Sequence, residues 1–405
     1  MSAVGLIGIL LCLGALPFFP PARSSRGLLL FGTLLALHLA ASVAFYEYAL
    51  TSSADAALYY YDTTGLRRSE MELGTIFTIK LVQSIKGAVG GTYLDHFLLF
   101  QALGFWGILL LQRCIDHARQ TFGDALTIAP YWVLFLPGLH FWTGAIGKDS
   151  PLFLGVSLAL WATIRLSTRA MWFALAVFIM LLFRPHIALL ATAALAGGAF
   201  FGSRSGALAK ISLVVVALVA VSIIAGTVER TLTVNLSDPS SVGAFLEKQQ
   251  QRAQWIPGAT NLQDAFVLVR LFSLLFRPLF VDASGAFGLV SSAENLVYLF
   301  IFAFMAWAWR EGVIAFRSAL IVRFAFFFAA GVTVLLTLTY YNVGLGLRQK
   351  TMFMPAVLMC FAAQWMLRRA RTHWRLYGGD MQQAPQDEFG LQQGHALLPQ
   401  QGSPG

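Results

Sequence analysis

Two carboxylates and three tyrosines share a short polar stretch between long apolar runs of this sequence. Asp55 and Asp62 lie on either side of the tyrosine run that contains Tyr60. A carboxylate at the end of a helix can accept a proton from a hydroxyl group, and tyrosine rings can stack on sugar rings. The alternative is a hydrated loop whose tyrosines form an aromatic belt at a membrane surface. The sequence leaves both interpretations open.

Cations occupy four other turns between apolar runs. Arg184 lies in an FRPH turn whose flanking runs are so short that the arginine must stay near the membrane. An arginine at that depth usually has a phosphate or carboxylate partner, whereas a lone histidine such as His186 is more often a hydrogen-bonded core residue. Lys148 and Asp149 precede a proline that can begin a helix, and helix N-termini favour anions. Lys148 can alternatively pair with Asp149 or reach lipid headgroups.

The third cationic turn ends an amphipathic segment, residues 265–287. Its Arg277 can hold a phosphate or anchor the segment to headgroups. Glu294 and Asn295 follow at the start of the next apolar run, where they can orient the arginines of this segment.

The fourth cationic turn, near residue 345, combines Asn342, Arg348 and Lys350 with two glycines. Glycines permit close approach of the backbone to a bound group. No standard phosphate-loop pattern is matched, so the turn indicates an anion site only in combination with the other turns.

The composition says which elements must position these residues. Hydrophobic residues make up 58% of the 405 positions and charged residues 12%, whereas soluble domains have about half apolar and about a quarter charged residues. So little charge cannot cover a water-facing surface, and much of the exterior must face lipid. The three cysteines show no CxxC spacing, so neither a zinc site nor a disulfide framework is indicated. The sequence therefore predicts an all-α, polytopic integral membrane protein.

Apolar runs predict about eleven transmembrane helices. They are residues 2–19, 27–50, 94–112, 128–146, 151–165, 170–183, 186–202, 209–228, 292–309, 318–340 and 351–367. The first run lacks a basic start and a cleavage site, so we expect a retained helix. The spans form a membrane domain over residues 1–367 with outer loops 51–93 and 229–291, and residues 368–405 form a cytoplasmic tail, basic and then disordered.

Lysine and arginine predict the orientation, because cationic loops stay on the cytoplasmic side. Basic residues concentrate in the connections 20–26, 113–124, 165–169, 203–210, 310–323 and 368–375. The N-terminus is then outside and the C-terminus cytoplasmic. This orientation places the acidic loop and the four cationic turns on the outer side. As a set they predict a site that binds an anionic amphiphile and supplies a base for a hydroxyl nucleophile.

The order of these features resembles the EpsG-like and Wzy-like bacterial polysaccharide polymerases, which are related to the GT-C lipid-linked glycosyltransferases. The resemblance rests on residues 71–111 and on the motifs FWTGAIGKDS, FRPHIALL, LLFRPLF, SSAEN and NVGLGLRQK. It implies a GT-C/Wzy-like helix bundle in the bacterial inner membrane. Such an enzyme adds or polymerises sugars of exopolysaccharide or O-antigen from an undecaprenyl-(pyro)phosphate-linked donor at the extracytoplasmic face. The acidic loop follows the second span here, whereas GT-C enzymes usually place it after the first.

Under this resemblance, one of Asp55 and Asp62 activates the acceptor hydroxyl, and the cations neutralise the phosphates of the donor. The residues expected to act in catalysis are Asp55, Asp62, Arg184 and Arg348. Those expected to bind substrate are Tyr60, Lys148, Asp149, His186, Arg277, Glu294, Asn342 and Lys350.

The expected partners are a polyprenyl-linked saccharide donor, a saccharide acceptor, the lipid bilayer and other polysaccharide assembly proteins, without nucleic acid. No cofactor or metal is expected, because arginines can neutralise phosphate charge, and no nucleotide-sugar motif is visible. Two alternatives remain. One is a lipid-linked oligosaccharide flippase or transporter, whose arginines would line a path, and the other is a non-catalytic subunit of a polysaccharide export complex.

Overall fold

The fold is helical wherever the chain is described. A computed structural model describes residues 2–19, 24–52, 54–62, 73–123, 128–202, 206–251, 265–311, 315–317, 319–340 and 342–377. Within these ranges the regular elements are α-helices and short 3-10 helices, without strands. The stretch 63–72 of the acidic loop and the tail beyond residue 377, predicted to be disordered, lie outside the described residues.

The α-helices are numbered here in chain order. They are α1 (Ala3–Leu13), α2 (Ser25–Thr51), α3 (Asp55–Tyr61), α4 (Thr75–Val89), α5 (Tyr93–Phe122), α6 (Pro137–Thr143), α7 (Asp149–Thr163), α8 (Leu166–Phe183), α9 (Pro185–Phe200), α10 (Ala207–Leu232), α11 (Pro239–Gln251), α12 (Val267–Phe276), α13 (Gly285–Arg310), α14 (Leu320–Thr339), α15 (Val343–Gln349) and α16 (Met354–Tyr377). Short 3-10 helices cover Leu16–Phe18, Tyr131–Phe135, Ala315–Arg317 and Lys350–Met352.

Five described helices are long and apolar enough to cross a membrane: α2, α5, α8, α13 and α14. A sixth span results if Val343–Met352 and Met354–His373, which are bent by 60° relative to each other, form one broken crossing. Helices suit a lipid environment because all their backbone bonds are internal. The predicted all-helical membrane architecture is therefore present, whereas the predicted number of eleven spans is not confirmed.

One predicted span, residues 128–146, is wrong as a continuous helix. It consists of the 3-10 helix Tyr131–Phe135 and the seven-residue helix α6, separated at Leu136. Pro137 has no N–H to continue a helix and pushes the preceding residue toward extended backbone. Leu136 accordingly has ψ 122°. Hydrophobicity alone did not reveal this break.

Helix α5 lies at the centre of the bundle. Of its most apolar 18-residue stretch, 72% is buried inside the protein, compared with 22% in α8, whose surface is largely left for lipid. Helix α5 packs against α1, α2, α6, α7 and α16. A Cβ atom at Gly104 would lie 2.2 Å from the carbonyl oxygen of Thr143, so a glycine is required where α6 meets α5.

The start of α5 is fixed by a capping box. The Thr92 hydroxyl accepts from the Asp95 N–H at 3.3 Å, and the Asp95 carboxylate accepts from the Thr92 N–H at 2.9 Å. Asp95 also accepts from the N–H of Ser2 at 2.9 Å, so one carboxylate begins α5 and holds the start of α1 against it.

Candidate functional site

Four charged side chains from four separate regions of the chain form one ion-pair network. Arg348 donates from Nη1 to Asp55 and from Nε to Asp149. Asp149 accepts a second, longer contact of 3.4 Å from Nη2 of Arg184. Together with Lys148, these residues are called the charge cluster below. The structure thus brings together residues from the acidic stretch and from three of the four cationic turns.

Helix ends hold these side chains in place. Asp55 is the first residue of α3 and Asp149 the first residue of α7, positions where the helix dipole favours a carboxylate. Arg184 separates α8 from α9 with a non-helical backbone (φ −150°, ψ 84°), because Pro185 begins the next helix. Arg348 lies in the last turn of the short helix α15.

Lys148 is held by α4 rather than by a carboxylate. Its Nζ donates to the hydroxyl of Thr75 at 2.7 Å. The residue before Thr75, Gly74, donates its N–H to the carbonyl of Leu182 at 2.9 Å, which fixes the start of α4 beside the end of α8. Helix α4 therefore positions Lys148 next to the α8–α9 junction that carries Arg184.

The turn before Lys148 requires a glycine. Gly147 has φ +149°, and a Cβ atom there would lie 3.0 Å from Cε2 of the buried Tyr59 ring. A larger residue at this position would be strained, both by the backbone angle and by the tight contact. The Tyr59 ring thereby links α3, which carries Asp55, to the turn that carries Lys148.

The charge cluster has an excess of positive charge. Burial raises the pKa of the Asp55 carboxyl, but the charge and the hydrogen bond of Arg348 outweigh that effect, so the pKa lies below its ordinary value. Burial and, to a smaller extent, the charges of Arg184 and Arg348 lower the pKa of Lys148 to about 8, and the nearby carboxylates only partly oppose this effect. At neutral pH most Lys148 side chains are therefore still protonated. Three cations then face two carboxylates, which leaves a net charge of +1.

Two buried nitrogen atoms at the cluster lack hydrogen-bond partners among the described residues. They are Nε of Arg184 and Nδ1 of His186. A buried polar atom without a partner costs about 1–3 kcal/mol, so such atoms usually meet a ligand or a water molecule. The excess positive charge and these nitrogens together favour an anionic ligand.

Asp55 and Asp149 differ in exposure and therefore in what each can do. The Asp55 side chain is 49% exposed and can meet a ligand from solvent, whereas Asp149 is 7% exposed and is enclosed by two arginines. Asp62 lies at the other end of α3, about 10 Å away at 1.5 Å per helical residue. The structure thus places Asp55, and not Asp62, in the charge cluster.

A small aromatic pocket lies beside the charge cluster. It has a volume of about 250 Å³ and is lined by Phe141, Trp142, Phe287, Glu294, Tyr298 and Lys350. Glu294 accepts from the N–H of Gly138 at 2.6 Å and from the hydroxyl of Tyr298. Leu347, which precedes Arg348, also lines the pocket, so the pocket and the cluster share helix α15 and the residues that follow it.

Arg277 and Asn295 have partners that the sequence did not predict. Arg277 pairs with Asp282, and both side chains are about one-third exposed, at 30% and 28%. Asn295 donates to the carbonyl of Pro278 at 2.8 Å and accepts from Lys350. Glu294 bonds to Gly138 and Tyr298, and Asn295 bonds to Pro278 and Lys350. The expectation that these two residues orient the arginines stays a prediction.

Two further residues predicted to bind substrate have structural contacts. The hydroxyl of Tyr60 donates to the carbonyl of Gly91 at 2.8 Å, and Nζ of Lys86 lies 4.0 Å above its ring. Asn342 caps α15 by accepting from the N–H of Leu345 at 3.0 Å. Their roles toward substrate stay predictions.

Sequence reasoning missed Thr75, Tyr59 and the aromatic pocket. Thr75 shows no pattern that links it to Lys148, 73 positions later. Tyr59 belongs to the tyrosine run that was singled out, but only packing shows which ring meets the turn. Trp142 lies in an apolar run and Phe287 ends the amphipathic segment 265–287, and in such surroundings an aromatic residue carries no signal of a pocket.

Among the described residues, no three histidine, cysteine, aspartate or glutamate side chains are grouped as metal ligands would be. Comparison of the chain with protein-family models, with curated proteins and with solved structures gives no match.

Proposed function

We propose that this protein is a glycosyltransferase of bacterial polysaccharide assembly. It acts at the extracytoplasmic face of the inner membrane, as a polymerase or a sugar transferase, on an undecaprenyl-(pyro)phosphate-linked saccharide. Its fold is a GT-C/Wzy-like bundle in which shorter helices join the five or six long ones to give about eleven crossings. The N-terminus is outside and the C-terminus cytoplasmic. The observation that carries the proposal is the charge cluster, a net cationic site with one exposed carboxylate.

The charges of the cluster suit the phosphate end of the donor. A (pyro)phosphate oxygen accepts from Arg184 Nε and from Lys148, and it competes with the carboxylates for Arg348. Arginine forks match phosphate geometry, and the same groups stabilise the negative charge that develops on the leaving phosphate. Asp149 positions both arginines and remains buried.

Asp55 is the proposed general base. Arg348 keeps this carboxylate ionised but weakly basic, and a bound phosphate that draws Arg348 away makes it a stronger base. The acceptor hydroxyl oxygen then attacks the anomeric carbon of the donor, and its proton passes to Asp55. The bond between that carbon and the phosphate oxygen breaks, and the polyprenyl (pyro)phosphate leaves as an anion held by the cations.

The aromatic pocket is the proposed acceptor site. Its rings offer faces on which a sugar can stack, and Glu294 and Lys350 offer a hydrogen-bond acceptor and donor for hydroxyl groups. Because Leu347 and Lys350 flank Arg348 in sequence, a sugar in this pocket lies next to the phosphate-binding cations.

Complementation of a deletion strain tests the proposal. Polysaccharide chain length and accumulated lipid-linked saccharide are measured for Asp55→Asn and Arg348→Ala, with Asp62→Asn as a matched control on the same helix. We expect the first two to lose long chains and to accumulate lipid-linked saccharide, and the control to produce normal chains. Normal chains from Asp55→Asn and Arg348→Ala at wild-type protein levels would refute the proposal.

A further inference from the structure

Two histidines face each other in the buried centre of the protein, away from the charge cluster. His38 of α2 and His140 of α6 are both 0% exposed, and their Nδ1 atoms are 3.2 Å apart. Their rings meet edge to face with centroids 5.3 Å apart. The proposed glycosyl transfer uses neither residue.

The Nε2 atom of each ring already has a hydrogen-bond acceptor. Nε2 of His38 lies 2.9 Å from the carbonyl oxygen of Gln101, and Nε2 of His140 lies 2.7 Å from that of Leu134. A carbonyl oxygen only accepts, so each Nε2 must carry a hydrogen. A neutral imidazole has a single N–H, and both Nδ1 atoms would then present lone pairs to each other. Two lone pairs at this distance repel unless a cation lies between them.

We propose that His38 and His140 form a buried binding site for one proton, which their Nδ1 atoms share as an imidazole–imidazolium pair. A separation of 3.2 Å is that of a hydrogen bond between nitrogens. A tetrahedral metal ion would place two nitrogen ligands at a similar distance, but it needs further ligands, and among the described residues no three histidine, cysteine, aspartate or glutamate side chains are grouped to supply them. The carbonyl oxygens of Gln101 and Leu134 accept hydrogen bonds from the two Nε2 atoms and so stabilise the buried positive charge.

Few titratable groups surround the pair. On α1, the thiol of Cys12 accepts from the side-chain amide of Gln101 at 3.1 Å. On α13, Glu294 is bonded to Gly138, two residues before His140. Among the described residues, no carboxylate or cationic side chain hydrogen-bonds to either imidazole ring. The shared proton is therefore the charge that decides whether the pair attracts or repels.

The pair joins the two helices that lead to the charge cluster. Helix α2 continues into the segment that carries Asp55, and α6 continues into the turn that carries Lys148. The same two helices are linked by the hydroxyl of Ser42, which donates to the carbonyl of Gly144 at 2.6 Å. Loss of the shared proton would replace an attraction between α2 and α6 by a repulsion. It would thereby loosen the packing of the two helices that position the charge cluster.

Nuclear magnetic resonance of the full-length protein, labelled with ¹⁵N histidine in lipid nanodiscs, tests the shared proton directly. We expect a coupling across the hydrogen bond between the two Nδ1 atoms near pH 6, with both Nε2 atoms protonated. The coupling should disappear in His140→Asn and persist in His373→Asn, which alters a histidine of α16. A spectrum with either Nε2 bare, or with both Nδ1 atoms bare, would overturn the proposal, as would a signal that responds to a metal chelator.

The pH dependence of stability gives a second readout. In the unfolded chain both histidines titrate at about pH 6.5. In acid the unfolded chain therefore binds two protons at these histidines, whereas the folded pair binds one. Relative to a His38→Phe/His140→Phe variant, the folding constant should rise about tenfold per pH unit below pH 6. Above pH 7 the folded pair holds a proton that the unfolded chain lacks, so the constant should fall until the pair releases it. If the folding constant relative to this variant rises with pH and then stays level, both rings are neutral in the folded protein, and the shared proton is refuted.

Discussion

Arg348 should contribute more to stability than any exposed cation, because it satisfies a buried carboxylate. In Arg348→Ala, Asp149, which is 7% exposed, keeps only the 3.4 Å contact with Arg184. Removing one partner of a buried ion pair costs about 3–5 kcal/mol. The second bond, to Asp55, adds little because that carboxylate is 49% exposed and solvent screens the pair, so its share is about 0–1 kcal/mol. We expect a total loss of about 3–5 kcal/mol.

The assay is reversible unfolding of the purified protein in mixed detergent micelles, followed by loss of helical circular dichroism. A double-mutant cycle with Arg348→Ala and Asp149→Asn should give a coupling energy of about 1–3 kcal/mol. The matched control is Arg277→Ala, whose pair with Asp282 is 30% and 28% exposed and should contribute about 0–1 kcal/mol. If Arg348→Ala destabilises the protein no more than Arg277→Ala, and the coupling is near zero, Arg348 does not satisfy a buried charge and the reasoning fails.

Three further predictions concern the charge cluster. The pKa of Lys148 is about 8, so its positive charge is present below that pH and is lost above it. Pyrophosphate binding, measured by calorimetry, should therefore lose more strength between pH 7 and 9 in the wild type than in Lys148→Arg, where only the titration of pyrophosphate itself contributes. Equal slopes would contradict the assignment. In Asp55→Asn the affinity for pyrophosphate should stay within about threefold of wild type, while the rate of sugar transfer falls by about 10²–10⁴, the usual effect of removing a general base. Asp62→Asn should alter neither quantity. Gly147→Ala should lower the free energy of unfolding by about 1–3 kcal/mol, because a methyl group is strained at φ +149° and meets the ring of Tyr59. A variant with the same free energy of unfolding as wild type would show that the turn relaxes.

The number of membrane crossings shows where composition stops being informative. Apolar runs predict helices in the right places, as in α2 and α14, because a lipid-facing segment must satisfy its own backbone. The same criterion also gave a single span over 128–146, where Pro137 divides the chain into two short helical pieces. Hydropathy reports the preference for lipid but not the path of the backbone.

The sequence by itself determined that the protein is a helical membrane protein and that cations concentrate in a few turns between apolar runs. Both conclusions follow from local chemistry: the shortage of charge, the length of the apolar runs and the cost of cations near lipid. Only the tertiary structure decided which of these residues meet. Arg348 reaches Asp55 across 293 positions of sequence. Asp62, only seven residues from Asp55, caps the opposite end of α3. Likewise His38 and His140 are separated by 102 positions and meet only because α6 packs on α2. Contacts of this kind depend on how helices pack, and no local pattern of residues records them.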